Sequence, residues 1–200
     1  NSRQALAQSS NSLKIGIIGS GRIGGSVGLR WAEAGHEILF SSRNPDSLLY
    51  LVAQAGPKCR AGYPQEAAEF GDIVLVAVPY AATPQIGRDY GHLMQGKIVI
   101  DCGNPYVQRD GDMAADALER GTGVVSAEYL RGVRLVRAFN ALSWREVQDE
   151  AHREGERIAI PIAGDDQEAV EVTTQLVFDS CFDPVIVGGL ERAREFDQGT

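Results

Sequence analysis

The segment from Leu13 to Gly35 constrains this chain more than any other. Leu13-Lys14-Ile15-Gly16-Ile17-Ile18 is a short apolar run, and it stops on Gly19-Ser20-Gly21-Arg22-Ile23-Gly24. A run with almost no polar face reads as a strand buried on both sides. The stretch Gly24–Ala34 then carries Val27, Leu29, Trp31 and Ala32 before Gly35, and reads as a helix closed by glycine. Glycines spaced GxGxxG between a strand and a helix do three separate jobs. Gly19 permits the tight turn, Gly21 lets a pyrophosphate approach the backbone, and Gly24 lets the helix pack on the strand. The free N–H groups and positive dipole end of the helix then face the phosphates. The reading is a dinucleotide-binding βαβ unit; the alternative is a glycine turn of purely structural origin.

The rest of the chain keeps the same rhythm. Strands are expected at Glu37–Phe40, Lys58–Ala61, Ile73–Val78, Lys97–Asp101, Val133–Phe139, Ile158–Ala163 and Phe182–Val187. Helices are expected at Asp46–Ala55, Pro64–Phe70, Thr83–Met94 in part, and Gln167–Phe178, the last capped by Asp165-Asp166. Pro161 removes a ladder donor from its strand and points it toward a sheet edge. Apolar strands alternating with helices define an α/β fold, a Rossmann-type doubly wound, mostly parallel sheet with helices on both faces. With 200 residues, one domain is expected from 13 to 200, with a short C-terminal extension, behind a disordered or trimmed leader at 1–12.

The ends of the strands carry the chemistry, because in an open α/β sheet they line the ligand crevice. Ser42-Arg43-Asn44 closes the second strand. A site for NAD places an acid about 20 residues past the glycines to hold the ribose 2′-hydroxyl. Arg43 stands 19 residues past Gly24 instead, with Ser42 and Asn44 beside it. A guanidinium fork suits a 2′-phosphate, so NADP is preferred; a solvated surface arginine is the alternative. Val78-Pro79-Tyr80, Asp101-Cys102-Gly103-Asn104-Pro105 and Arg137-Ala138-Phe139-Asn140-Ala141 end three further strands. From these, Val78, Pro79, Tyr80, Asn104, Ala138 and Asn140 join Gly19 to Gly24 and Ser42 to Asn44 as candidate cofactor-binding residues. Phe139 is expected beside a ring. Asn140 is the one tentative catalytic candidate, as a donor or acceptor to a carboxamide or substrate; capping a turn is its alternative.

Other chemistries find little support. Cys59, Cys102 and Cys181 form no CxxC pair or His-Cys cluster, and all three read as buried free thiols without a metal. His36 falls in a helix-to-strand turn away from the crevice and reads as structural. His92 and His152 sit in polar stretches, and no nucleophilic triad or carboxylate pair with a role is evident. A net charge of −8 argues against a nucleic-acid or anionic-membrane partner. No run approaches the roughly 18 apolar residues of a bilayer span. Ala5-Leu6-Ala7 before Gln8 resembles the end of an export signal, but no apolar stretch precedes it, so a cytoplasmic protein is expected.

These motifs together resemble the deazaflavin (coenzyme F-420)-dependent NADP oxidoreductase family, and are similar also to the reductase domain of the STEAP metalloreductases. The likeness rests on Ile15–Gly24, on Ala34-Gly35-His36-Glu37 leading to Ser42-Arg43-Asn44, and on Ala77-Val78-Pro79-Tyr80. It continues through Asn104-Pro105, Ala138-Phe139-Asn140 and Ile162-Ala163-Gly164-Asp165-Asp166. The resemblance implies reversible hydride transfer between NADP and a deazaflavin. It places Ser20 to Ile23 on the pyrophosphate, Ser42 and Arg43 on the 2′-phosphate, and Pro79 with 138–140 by the nicotinamide. Such a reaction is carried by two cofactor rings held face to face, which agrees with the missing acid-base dyad. Other small-molecule acceptors stay open: a flavin or quinone, a ferric chelate, or an imine or carbonyl. So does a non-catalytic NADP-binding redox sensor. The 200 residues leave no room for a separate helical substrate domain, so the second ligand is expected either to bring its own redox chemistry or to bind in a pocket completed by a second subunit, and a homodimer is expected.

Overall fold

A computed structural model describes residues 12–197. The proposed leader residues 1–11, including Ala5-Leu6-Ala7, and the last residues 198–200 lie outside the described residues. The strands are β1 (Lys14–Ile18), β2 (Glu37–Ser41), β3 (Cys59–Gly62), β4 (Ile73–Val76), β5 (Ile98–Asp101), β6 (Arg134–Arg137), β7 (Ala159–Gly164) and β8 (Asp183–Gly188). They form one eight-stranded sheet in the order β3-β2-β1-β4-β5-β6-β7-β8. Strands β1 to β6 are parallel, β7 runs antiparallel to β6, and β8 is parallel to β7. The Rossmann-type reading holds.

The helices are α1 (Arg22–Glu33), α2 (Leu49–Ala55), α3 (Pro64–Phe70), α4 (Thr83–Tyr90), α5 (Val107–Asp110), α6 (Asp112–Arg120), α7 (Thr122–Tyr129), α8 (Trp144–Asp149) and α9 (Gln167–Asp179). Pro45–Leu48 and Gly91–Leu93 are 3₁₀ turns that continue or precede α-helical segments, which divides two of the expected helices. Alternation along the strands builds two cores, one on each face. One face buries Ile15, Ile17 and Phe40 with Val27 and Trp31 of α1, Val147 of α8 and Leu176 of α9. The other buries Ile18, Val74 and Val76 with Ala67 of α3, Ile86 of α4 and Leu130. At ~25 cal/mol per Å² of apolar surface removed from water, these two layers dominate stability.

Two details depart from expectation for clear reasons. The strand with Pro161 lies one place in from the sheet edge. β6 pairs only with Ala163 and Gly164 of β7, so Pro161 stands outside that ladder and its missing N–H costs nothing there. Of the two expected caps, only Asp166 caps α9, accepting from the Ala169 N–H at 2.8 Å. Asp165 instead accepts from the Leu190 N–H at 2.9 Å and anchors the 3₁₀ segment Leu190–Glu195. His36 is structural, as expected. Its Nδ1 accepts from the Leu13 N–H, so Nε2 carries the hydrogen and faces Asp179 Oδ2 at 2.9 Å. Among the described residues no helix is long and apolar enough to cross a membrane.

Candidate functional site

All six parallel strands end on one rim of the sheet, and the expected site residues gather there. β1 ends at Ile18 and turns through Gly19 into α1, whose N-cap is Gly21. The three glycines of the turn are explained differently. Gly19 has φ +94°, and a Cβ there would lie 2.7 Å from the Ala77 carbonyl oxygen. At Gly24 a Cβ would press into the Gly19 carbonyl oxygen and lie 3.0 Å from Ala77 Cβ. At Gly21 the backbone has an ordinary φ of −75° and nothing lies within 4 Å of a built Cβ. The protein itself therefore does not require glycine at 21, and the open cradle fits a group approaching from outside. α1 has no side-chain cap and no acid in its first turn, so its leading N–H groups face that cradle.

Ser20 ties the turn to the next strand: its N–H donates to the Ser41 carbonyl and its Oγ accepts from the Ser41 N–H, both at 2.9 Å. Beyond Ser41, Ser42 Oγ accepts from the Asn44 N–H at 3.1 Å, which folds the 42–44 loop back on itself. Arg43 and Asn44 are exposed at its tip. Arg43 donates to no carboxylate among the described residues, and no acid ends β2.

On the far side of β1, Val78 and Pro79 emerge from β4 at the rim. Tyr80 does not join them. Its side chain is fully buried, set edge-on to Tyr129 and packed with Ala117 and Val125. Burial pushes its hydroxyl well above the ordinary range. The tyrosine thus anchors α6 and α7 under the sheet and its ring is not presented to a ligand. Phe139 is corrected likewise. It adopts φ +64°, which turns the chain sharply after β6 and sends its ring into the core, 5.5 Å from Trp31 and nearly perpendicular to it. A left-handed conformation at a bulky residue costs on the order of 1 kcal/mol or more, held here by that packing.

The same turn presents Asn140, 6% exposed, between β5 and β6. Its Nδ2 donates to Asn104 Oδ1 at 3.3 Å and to the Phe196 carbonyl at 3.1 Å. Asn104 Nδ2 is held by the Asn140 carbonyl at 2.7 Å, so Asn104 offers Asn140 only its oxygen. With two acceptors facing Nδ2, the amide orientation is decided. Oδ1 is left buried without a partner. An unmet buried acceptor costs roughly 1–3 kcal/mol, which a ligand N–H would recover. Ala138, fully buried, forms the floor beside it.

Beneath this floor lies an ion cluster that sequence reading did not find. Arg137 is fully buried; Nη1 donates to Asp101 Oδ2 at 2.8 Å and to the Gly103 carbonyl at 2.7 Å, and Nη2 donates to Asp197 Oδ1 at 3.1 Å. Burial works against its charge, but the two carboxylates outweigh that and hold the guanidinium above its ordinary value. Asp197 Oδ2 also accepts from the Thr122 N–H at 3.2 Å. The cluster fixes the ends of β5 and β6 and straps residues 190–197 across α7. The signal was available: Asp101 and Arg137 each end an apolar strand and are register partners. Cys102, beside Asp101, is buried and pushed up to about 12 by desolvation, then by that carboxylate, so it is a neutral thiol. Cys59 is also buried and free; Cys181 is free but half-exposed, against the expectation of burial.

The comparisons with known proteins agree with this architecture. Residues 14–105 match the family model described as NADP oxidoreductase coenzyme F420-dependent. The match runs from the start of β1 to the loop after β5, so it covers the glycine turn, Arg43 and Pro79. Over 191 residues the chain is 27% identical to metalloreductase STEAP3 of Rattus norvegicus, covering 92% of this chain but only 36% of that protein. It is 27% identical to an F420-dependent NADP reductase of Methanothermobacter thermautotrophicus, covering 94% of this chain and 86% of the relative. Among solved structures, a hypothetical protein of Sinorhizobium meliloti superposes with a TM-score of 0.79 at 24% identity, covering 94% and 91% of the two chains. That likeness is one of fold. The family resemblance read from the motifs holds.

Proposed function

We propose that the chain is an NADP(H)-dependent oxidoreductase that moves a hydride between NADP and a deazaflavin of the coenzyme F-420 type. The observation that carries the reading is the open cradle at Gly21, set before an uncapped helix N-terminus. It suits a pyrophosphate, held by the N–H groups of Arg22, Ile23 and Gly24. Arg43, free at the end of β2, then reaches a 2′-phosphate. Pro79 and Asn140 would hold the nicotinamide half, with the unmet Asn140 Oδ1 offered as an acceptor to the carboxamide.

The chain's residues bind and orient; none is asked to donate or remove a proton during hydride transfer. Cys102 is neutral, Tyr80 is buried, and the carboxylates of Asp101 and Asp197 are engaged by Arg137. Rate comes from holding donor and acceptor rings at short range in a fixed orientation. Bound NADPH would supply the hydride in the reducing direction, and a solvent proton would complete the reduced acceptor. A homodimer belongs to this reading and is checked by sedimentation.

The test is NADPH oxidation with coenzyme F-420, a flavin, a ferric chelate and a cyclic imine in turn. The proposal expects turnover with the deazaflavin at the highest kcat/KM. Preference for another acceptor would reassign the second substrate, and tight NADPH binding with no turnover would favour a redox sensor. Arg43→Ala should weaken NADPH binding by about 1.5–3 kcal/mol, the worth of a charge-assisted phosphate contact, and leave NADH unchanged. Equal losses for both cofactors would remove the NADP assignment.

A further inference from the structure

Four fully buried hydroxyls find no partner among the described residues: Tyr80 Oη, Thr83 Oγ1, Thr122 Oγ1 and Ser126 Oγ. Buried hydroxyls elsewhere in the chain are met by backbone carbonyls. Ser26 Oγ donates to Arg22 at 2.7 Å, Ser41 Oγ to Ile17 at 2.6 Å, Thr173 Oγ1 to Ala169 at 2.8 Å and Ser180 Oγ to Val177 at 2.8 Å. Thr122 and Ser126 are one turn apart on α7 and share a face, yet neither bonds back to its own helix. An unmet buried hydroxyl carries the whole penalty of leaving water, so four of them call for something that meets them.

Packing brings the four to one interface. α4 and α7 each run from the crevice rim toward the start of the next strand, so they lie side by side in the same sense. At Gly87 they are so close that a Cβ would run into the Tyr129 carbonyl oxygen. One turn back from that crossing stand Thr83 on α4 and Val125 and Ser126 on α7. Tyr80, in the 3₁₀ turn Tyr80–Ala82 that leads into α4, packs on Val125 and Tyr129. Burial pushes the Tyr80 hydroxyl up, and Ser126 Oγ, facing it, offsets part of the rise, yet the two stay outside hydrogen-bond distance. That separation leaves the gap a bridging molecule needs. No charge serves there: Asp101 and Asp197 already hold Arg137, and an ion among the hydroxyls would be buried without a counter-charge. The occupant must be small, neutral, and able both to donate and to accept.

We infer that this interface is a built-in hydration site, in which buried water bridges Tyr80 and Thr83 to Ser126 and Thr122. A buried water makes about three hydrogen bonds, and each of these hydroxyls can either donate or accept. The place gives the water a role. Tyr80 directly follows Pro79, so the water fastens the turn that forms one wall of the crevice to α7 behind it. The Thr122 N–H is held by Asp197, so the same helix end is tied to the ion cluster beneath Asn140. The effect on a cofactor rests on the proposed NADP reading; the water site itself does not.

Deleting one hydroxyl at a time without changing shape separates a hydrated interface from a dry one, because the sign of the effect reverses. Thr83→Val and Tyr80→Phe each leave a bridging water short of a partner, so Tm should fall by about 2–4 °C in either variant. In a dry interface the same changes remove an unmet polar group, and a Tm that stays or rises would overturn the inference. The double variant should lose clearly less than the sum of the two, because both hydroxyls address shared water; strict additivity would overturn the bridge. A high-resolution crystal structure should show ordered water oxygens within hydrogen-bond distance of at least two of the four hydroxyls, and hydroxyls bonded directly to protein instead would overturn the site. On the NADP reading the loosened turn should also raise the NADPH Kd of Tyr80→Phe severalfold. Unchanged affinity in a variant with a lowered Tm would detach the water from the crevice wall. Wild-type protein that binds no NADPH, with both variants still destabilised, would refute the NADP reading and leave the hydration site standing.

Discussion

The glycine turn yields a prediction in which binding and stability move in opposite ways at neighbouring positions. Gly21→Ala adds one methyl group where nothing stands within 4 Å, at a φ of −75° that alanine adopts freely. Restricting the unfolded chain favours the variant by about 0.4–1 kcal/mol, while alanine is a poorer N-cap than glycine by a similar amount, so net stability should change by less than about 1 kcal/mol. The same methyl occupies the space in which a pyrophosphate must approach the first N–H groups of α1. Loss of one charge-assisted hydrogen bond costs about 1.5–3 kcal/mol, which is roughly a 10- to 150-fold rise in Kd. Gly24→Ala should behave in reverse. Its Cβ meets the Gly19 carbonyl and Ala77, both part of the packed junction, and overpacking of that kind costs about 1–3 kcal/mol or more. Thermal melts and NADPH fluorescence titrations on the two variants decide the matter. A Gly21→Ala protein that melts normally and binds NADPH like the wild type would refute the cradle. One that melts far lower would refute the claim that the protein itself leaves this space open.

Other perturbations test the surroundings of the site. Arg137→Met should cost about 3–5 kcal/mol in urea unfolding, because Asp101 and Asp197 would be left as unpaired buried charges; a change under 1 kcal/mol would show that the cluster is not desolvated as described. Asp110 is held below the usual carboxylate range by its hydrogen bonds from Arg109, with the Tyr106 N–H adding to them. Its contribution is therefore present above the unfolded value near ~3.9 and lost as pH falls through the lower folded value. Asp110→Asn should lower Tm at pH 7 and converge with the wild type in strong acid; a gap that persists at the lowest pH would contradict the ionic origin. In the native protein a thiol reagent at neutral pH should modify Cys181 well ahead of Cys102, whose neutral thiol is enclosed; rapid loss of all three thiols without unfolding would count against the core.

What could be read from the residues alone follows physical lines. Strands buried on both faces are apolar without interruption, so Ile73–Val76 and Ile98–Asp101 announce themselves. The expected cofactor residues are local: the glycine turn, Arg43 and Pro79 each follow closely on a strand, and position along the chain settles their position in space. Helices α5 to α7 were not expected, and α7 shows why. Thr122, Gly123, Val125 and Ser126 are all buried and Glu128 alone is exposed, so it has almost no wet face and hence no helical period to detect. Side-chain direction was the other blind spot. Phe139 and Tyr80 stand in strand-end motifs, yet both rings go to the core, Phe139 through a positive φ that no residue pattern displays. Asp197 met Arg137 across 60 positions, a contact that exists only once residues 190–197 fold over α7.

The placement of positive charge joins the fold to its chemistry. A chain of net charge −8 repels an anionic cofactor at long range unless cations are concentrated where it binds. Arg137 adds nothing to such a field, since two buried carboxylates more than offset it. No carboxylate holds Arg43, Arg22 or Arg145 among the described residues, which is equally true of Arg60, Arg88, Arg131, Arg157 and Arg194; what sets the first three apart is their place along the rim, from the end of β2 past the glycine turn to the start of α8. Uniform surface pairing would have left the crevice as acidic as the rest of the molecule. Leaving these three unpaired costs little, because exposed ion pairs are worth only about 0–1 kcal/mol each. Such charges would gain much more from a ligand that buried a phosphate against them. Arg43, exposed and unheld at the end of β2, is therefore the rim cation at which an anionic ligand would gain most, and its replacement by alanine is the direct test.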